Sequence, residues 1–171
     1  MGFSGSVTVA QNVTGTQTTT LDLGTASFPF SNTASVAYAS GTAAGQVDMV
    51  FTDTRTLSAS ATEDLDLAGV LVGAFGSTLT FARIKAMQFS AAAGNTNNVQ
   101  VTRSASNGVP WLMAAGDGIA LRPGAAFTWS SGTADATGVV VTGGTGDLIT
   151  VTNSAGTTSV TYTVVILGCS A

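Results

Sequence analysis

The sequence predicts an all-β protein folded as one sandwich or barrel. Apolar and hydroxyl residues alternate with a period of two along most of the 171 residues. About ten such runs are separated by turn-forming residues, which is the spacing typical of antiparallel sandwiches and barrels. Only residues 69–75 suggest a helix, of two turns at most. A chain of this length can bury about 70% of its unfolded surface in a single core, so we expect one domain.

The predicted strands begin near the N-terminus with residues 6–10 and 16–23. Residues 1–21 carry no charge and include three consecutive threonines, so we expect residues 1–20 to form an arm or edge strand. Residues 21–171 would then form the sandwich domain. The further predicted strands are residues 35–39, 47–52, 79–89, 98–102, 118–121, 125–130, 138–142, 148–153 and 158–167.

Residues 57–67 alternate clearly, and Glu63 is the one residue that interrupts their apolar face. We interpret the run as a half-buried strand, or as two strands separated by a bulge near residue 63. Glu63 then lies at the bulge or points inward towards a partner, for which Arg55 is a candidate.

Three glycine-containing segments predict turns. Arg122, Pro123 and Gly124 suit a type II turn, which needs Pro at its second position and Gly at its third. Residues 153–156 lie between two alternating runs and predict a hairpin loop. Residues 143–147 predict a flexible loop, because the Lys and the following helix of a phosphate-binding loop are missing.

The charge content predicts a surface suited to lying against other protein. The chain has 14 charged residues, no histidine and a net charge of −4. A monomer of this mass exposes roughly 7,700 Å², or one charge per ~550 Å², against ~180 Å² at average composition. One side of a standard interface covers about 800 Å² and is poor in charge at its centre. The alternative is a soluble β domain hydrated by hydroxyl groups alone.

The titratable residues do not predict a catalytic or metal site. Acid–base catalysts near neutral pH most often use histidine, and Cys169 has none to activate it. Glu63, Asp64 and Asp66 form the one acidic cluster, but Ca²⁺ needs six to eight oxygen ligands. Five scattered basic residues do not suit nucleic acid. We therefore expect no enzyme activity, no cofactor, no metal and no nucleic-acid partner.

The N-terminal sequence MGFSGSVTVAQ lacks the basic and apolar regions of a secretion signal, and the chain has no apolar run of 18 residues. A single cysteine cannot form a disulfide within the chain. We therefore expect synthesis in the cytoplasm and no membrane contact.

The two tryptophans, Trp111 and Trp129, and the residues beside Trp111 are candidates for a protein interface. Trp and Met are enriched at interface cores, and Trp111 lies in a segment between strands that we expect to be partly exposed. Core packing and a sugar-stacking platform remain as alternatives for both tryptophans. The interface candidates are Val109, Trp111, Leu112, Met113 and Trp129.

Several longer segments resemble a known family. They are FTDTRTLSASATEDLDLAG (residues 51–69), LTFARIKA (79–86), LRPG (121–124), TGDL (145–148) and VTYTVVILG (160–168). From about residue 21 to its end, the chain is similar to small virion proteins of tailed bacteriophages, in particular to capsid decoration, or cement, proteins.

The resemblance implies a jelly-roll-like β-sandwich bound outside the major capsid lattice, as a dimer or trimer. Its implied partners are the major capsid protein and further copies of itself, and its implied location is the virion exterior, after assembly in the host cytoplasm. It implies no catalytic residue. A tail, fibre or head-spike component that meets the host receptor would share this composition and is the alternative.

Overall fold

The computed structural model describes residues 3–111 and 113–171, and these residues form strands, turns and loops without a helix. The all-β prediction is confirmed. The strands are β1 (Ser6–Leu21), β2 (Gly24–Ser40), β3 (Gln46–Val47), β4 (Met49–Leu57), β5 (Thr62–Asp66), β6 (Ala68–Val72), β7 (Thr78–Thr80), β8 (Arg83–Ala91), β9 (Val99–Arg103), β10 (Gly118–Leu121), β11 (Ala126–Ser130), β12 (Val139–Val140), β13 (Leu148–Asn153) and β14 (Val160–Cys169).

A five-stranded and a four-stranded antiparallel sheet form the body. Their strand orders are β4-β14-β8-β11, with β12 also paired to β8, and β5-β13-β9-β10. The antiparallel pairs are nested: β9 with β10, β8 with β11, β5 with β13, and β4 with β14. A long hairpin rolled up into two sheets gives this nesting, which is the connectivity of a jelly roll. The predicted jelly-roll-like sandwich is therefore confirmed.

The core lies between these two sheets because each strand buries alternate residues. In β14, Val160, Tyr162, Val164 and Ile166 are fully buried, while the residues between them are partly exposed. Strand β13 buries Ile149 in the same way, from the opposite sheet. This alternation gives each sheet one apolar face and one hydroxyl-rich face.

The helix suggested for residues 69–75 is absent. Val70, Leu71 and Val72 continue β6, which pairs with β7. Gly69 has a φ of 122°, which is incompatible with a helix. β-Branched valines on both sides of Leu71 favour the extended chain instead.

Two connections differ from their sequence interpretation because consecutive strands of a jelly roll often belong to opposite sheets. The run of residues 57–67 contains the end of β4, a turn at Ser58–Ala61 and all of β5, so its break is a turn between sheets rather than a bulge. Residues 153–156 join β13 to β14 across the sandwich and are not a hairpin loop.

The type II turn is confirmed: Gly124 has a φ of 78°, and the backbone N–H of Ala125 donates to the carbonyl oxygen of Arg122 at 2.8 Å.

A long hairpin stands outside both sheets. Strands β1 and β2 pair without a break from Ser6–Ala39 to Leu21–Gly24. The predicted boundary between the arm (1–20) and the sandwich domain (21–171) thus falls at the turn of this hairpin, and residues 24–40 form its second strand. The accessible surface of 8690 Å² exceeds the roughly 7,700 Å² of a compact monomer, and the projecting hairpin accounts for the excess.

Candidate interaction surface

The hairpin has two chemically distinct faces. Directly paired residues of an antiparallel ribbon share a face, so the pairing of β1 with β2 sorts every side chain. One face, called the apolar face below, carries all the large apolar residues, namely Val7, Val9, Val13, Leu21, Phe28, Phe30, Val36 and Tyr38, with the small residues Gly15, Gly24, Ala26 and Ala34 and the polar residues Gln11, Gln17, Thr19 and Asn32 between them. The other carries hydroxyl and small residues, namely Ser6, Thr8, Ala10, Asn12, Thr14, Thr16, Thr18 and Thr20 with Thr25, Ser27, Pro29, Ser31, Thr33, Ser35, Ala37 and Ala39.

The half of the apolar face nearer the body packs on the outside of the β4-β14-β8-β11 sheet. Tyr38 is fully buried there in a cluster with Val47, Ala86 and Leu167. Its hydroxyl lies 3.0 Å from the carbonyl oxygen of Lys85, and burial raises the pKa of Tyr38. This half of the ribbon is therefore a fixed part of the body.

The hairpin leaves the body across the edge strand β11, where the side-chain N–H of Gln11 donates to the carbonyl oxygen of Thr128 at 2.8 Å. Eleven residues separate Gln11 from the turn at Asp22, a distance of about 36 Å at ~3.3 Å per residue. The residues between 12 and 33 are exposed, apart from the half-buried Gly15. We call this segment the distal ribbon (residues 12–33).

The apolar face continues along the distal ribbon with nothing covering it. Phe28 is 66% exposed, Val13 61%, Leu21 57% and Phe30 45%. The Phe30 ring lies across its partner Gly15, where an added Cβ would approach the ring to 2.6 Å. Glycine at this position leaves room for the ring to lie against the ribbon backbone. We call these four exposed side chains the ribbon patch.

The ribbon and the outer sheet face beside it are almost free of charge. Residues 6–40 include a single charged side chain, Asp22 at the turn. On the outer face of the body sheet, hydroxyl groups pair across strands: Thr54 with Thr163 at 2.9 Å, and Thr56 with Thr161 at 3.1 Å. Covering such surfaces removes few charges from water, so the electrostatic cost of association is small.

Two of the five predicted interface residues belong to the core of the chain itself. Val109 is fully buried and Trp111 is 6% exposed. The Trp111 ring meets Phe127 edge to face, with centroids 5.7 Å apart. These two residues therefore offer little surface to a partner, because their loop folds into the end of the sandwich.

The remaining candidates are less deeply placed. Met113 and Trp129 are half-buried and pack against the core, and Leu112 lies outside the described residues. In the described part of the chain, Trp111 Nε1 is the one buried side-chain nitrogen or oxygen without a hydrogen-bond partner.

The acidic cluster serves the fold. Glu63 points inward and pairs with Arg55, as one of the two interpretations predicted, and it also accepts a hydrogen bond from the Tyr162 hydroxyl at 2.8 Å. Asp64 accepts one from Thr150 at 2.5 Å, and Asp66 accepts one from the backbone N–H of Ala68 at 2.9 Å. Residues 3–111 and 113–171 contain no group of three side chains placed to hold a metal ion.

Two reactive side chains are buried at the base of the hairpin. The Lys85 ammonium donates to the carbonyl oxygen of Asp135 at 2.7 Å, and burial lowers its pKa. The Cys169 thiol donates to the carbonyl oxygen of Gln46 at 3.4 Å, and burial raises its pKa. A buried, protonated thiol is a weak nucleophile, so burial disfavours a nucleophilic role for Cys169.

A second apolar region borders a cleft of about 280 Å³ between β4 and the β6–β7 hairpin. Met49, Val50 and Leu79 line the cleft, and Phe75 at its rim is 83% exposed. Asp48 also lines it, so this surface is less uniform than the ribbon patch.

The sequence contained a signal for the ribbon patch that our strand assignment missed. Apolar side chains occupy every second position at residues 26, 28 and 30 and again at 34, 36 and 38. Proline is rare inside strands, so Pro29 weakens this signal. Between residues 12 and 33 the hairpin has only two strands, so both are edge strands there, and proline is tolerated at an edge where its missing N–H faces outward.

Comparison with known proteins leaves the surface as the main source of functional information. No family model matches the chain, and neither a curated protein nor a solved structure matches it. Among the described residues, no helix is long and apolar enough to span a membrane.

Proposed function

We propose that this chain is a structural virion protein that binds the outside of a major capsid lattice and stabilises the head. The observation that supports this most is the hairpin, which has a single charged side chain, Asp22, and extends the contact surface of the chain about 36 Å beyond a compact jelly-roll body. Such a body supplies rigidity, and the hairpin and outer sheet face supply contact area. The sequence resemblance to capsid decoration proteins points the same way.

The role needs contact over a wide area rather than chemistry at one point. A protein that reinforces a shell must bridge neighbouring subunits and stay bound, which favours large dry contacts. Outward side chains on both sheets pair their hydroxyls across strands, as Thr62 does with Thr152 at 2.9 Å. These hydrogen bonds order the hydroxyl groups of the outer faces, which suits contact with another ordered surface.

The direct test is reconstitution on empty shells. Purified protein is added in increasing amounts to capsids that lack it, the particles are separated by sedimentation, and the bound chain is quantified against the major capsid protein. We expect saturation at a fixed ratio to the lattice subunits, together with greater resistance of the shells to heat. A jelly-roll lectin of similar size serves as the control for non-specific adhesion.

The same measurement separates the alternative of a tail, fibre or head-spike component. Such a protein would be present at far fewer copies than the lattice subunits, and at one location on the particle. No saturable binding to the shells, or saturation only at that low copy number, would overturn the decoration proposal.

A further inference from the structure

We infer that the ribbon patch, formed by Val13, Leu21, Phe28 and Phe30, is covered by a second copy of this chain. The inference concerns the chain alone and holds whether or not its assembly sits on a capsid.

The distal ribbon needs a cover to keep its shape. A two-stranded hairpin on its own is at best marginally stable in water, and packing against a further layer is what stabilises it. Up to Gln11 the body sheet provides this layer; beyond Gln11 the same apolar face continues in the same register with no layer above it. The uncovered patch is thus the continuation of an interface that already exists within the chain.

The chemistry of the patch favours a copy of the chain as the occupant. A partner with a charged surface would lose hydration against it without gaining an ion pair, since Asp22 is the single charge in residues 6–40. The chain itself presents surfaces that fit, namely another ribbon patch and the hydroxyl-lined outer sheet face. In a two-fold contact each patch faces its own equivalent, so one apolar surface supplies both sides of the interface.

The area indicates that the contact extends past the patch. The distal ribbon is about 30 Å long and ~10 Å wide, so two ribbons face to face bury roughly 600 Å². Stable interfaces bury about 1,200–2,000 Å². Each ribbon must therefore also meet the body of its partner, and a reach of about 36 Å beyond β11 is long enough for that.

The test measures the mass of the full chain in solution by light scattering and native mass spectrometry over a range of concentrations. The disrupting variant is Phe28→Asp with Phe30→Asp. The matched control is Ser27→Asp with Ser31→Asp, which adds the same two charges on the same strand but on the hydroxyl face. Thermal unfolding of each variant shows whether the jelly-roll body remains folded.

We expect the unmodified chain and the control to form the same closed oligomer. The disrupting variant should dissociate to a folded monomer, with the dissociation constant raised roughly 100-fold or more, because each buried aromatic anchor contributes tenfold or more.

An unmodified chain that is monomeric at micromolar concentration would overturn the inference, as would a disrupting variant that remains oligomeric. Dissociation of the control to the same degree would also contradict it, since charge alone would then be the cause. A monomer that saturates capsids would overturn this inference and leave the proposed function standing. An oligomer that ignores capsids would do the reverse.

Discussion

Asn153 holds together the loops at one end of the jelly roll, so its replacement tests directly how much these loops contribute to the stability of the fold. The side chain is 2% exposed. Its N–H groups donate to the carbonyl oxygens of Ser58 at 3.0 Å and Thr158 at 2.7 Å. Its oxygen accepts from the Asn97 amide at 3.0 Å and from the Ala155 backbone N–H at 3.3 Å. Asn153 therefore holds three loops together, which are the β4–β5, β8–β9 and β13–β14 connections.

Asn153→Leu keeps the volume of the side chain and removes all four of these hydrogen bonds. Each is worth about 1 kcal/mol net, and a buried partner left unpaired costs more. We expect the free energy of unfolding to fall by about 4 kcal/mol. For a chain of this length that corresponds to a melting temperature lower by ~8–16 °C.

Asn153→Asp separates loss of donors from change of shape. The carboxylate keeps the two accepted bonds but faces the carbonyl oxygens of Ser58 and Thr158 without a proton to donate. Burying an uncompensated charge costs at least as much as losing the bonds. We therefore expect a destabilisation at neutral pH at least equal to that of the leucine variant, with partial recovery in acid as the carboxylate takes up a proton.

Chemical and thermal unfolding followed by circular dichroism measure both variants. The control is Asn12→Leu, the same substitution at an exposed hairpin residue whose side chain accepts one hydrogen bond from Thr33. We expect that change to stay within about 0.5 kcal/mol of the unmodified chain. If Asn153→Leu proved no more costly than Asn12→Leu, the loop network would not stabilise the fold and the reasoning would be refuted.

Three further predictions concern the body of the protein. Burial and the hydrogen bond to Glu63 raise the pKa of Tyr162 above its ordinary value of 10.0, so the folded state keeps a proton that the unfolded state releases. The free energy of unfolding should therefore decrease as the pH rises above about 10. In urea titrations, Tyr162→Phe should reduce the slope of that decrease by up to ~1.4 kcal/mol per pH unit. Gly138→Ala should lower the free energy of unfolding by about 2 kcal/mol or more, measured in the same urea titrations. The φ of Gly138 is 62°, and the new Cβ would lie 2.2 Å from the carbonyl oxygen of Ile84. The control Gly132→Ala places its Cβ in open space and should leave the free energy of unfolding unchanged. Trp111→Phe should lower the free energy of unfolding by less than about 1.5 kcal/mol. The change removes apolar contacts, but it also removes a buried N–H that has no partner in the described part of the chain. A loss of about 3 kcal/mol or more in thermal unfolding would show that the indole N–H is needed.

The body strands could be predicted because their local pattern and their long-range environment agree. Strands β10 (Gly118–Leu121) and β13 (Leu148–Asn153) have the predicted bounds. Their apolar residues alternate, turn residues flank them, and the fold buries the face that the alternation selects.

Predictions failed where the partner of a segment decides its environment. Trp111 lies between strands, where exposure is the reasonable expectation, yet its loop turns inward onto Phe127. Strand β2 exists because β1 pairs with it along its whole length, and neither Pro29 nor its neighbours reveal that partner. Period-two patterns specify which face is apolar, but they do not specify what covers it.

The charges that the chain does have are placed so that the outer surface is poorer in charge than the composition suggests. Lys85 is fully buried, and Arg55 and Glu63 pair with each other where both are half-buried.

Natural β-proteins commonly protect free strand edges with lysine, proline or bulges against pairing with other chains. The distal ribbon has two free edges, and within residues 12–33 only Asp22 and Pro29 oppose such pairing. A ribbon with open edges and an open apolar face would be prone to aggregate if it stayed uncovered. A specific, saturating contact that covers the ribbon would remove this tendency, which is why we propose one.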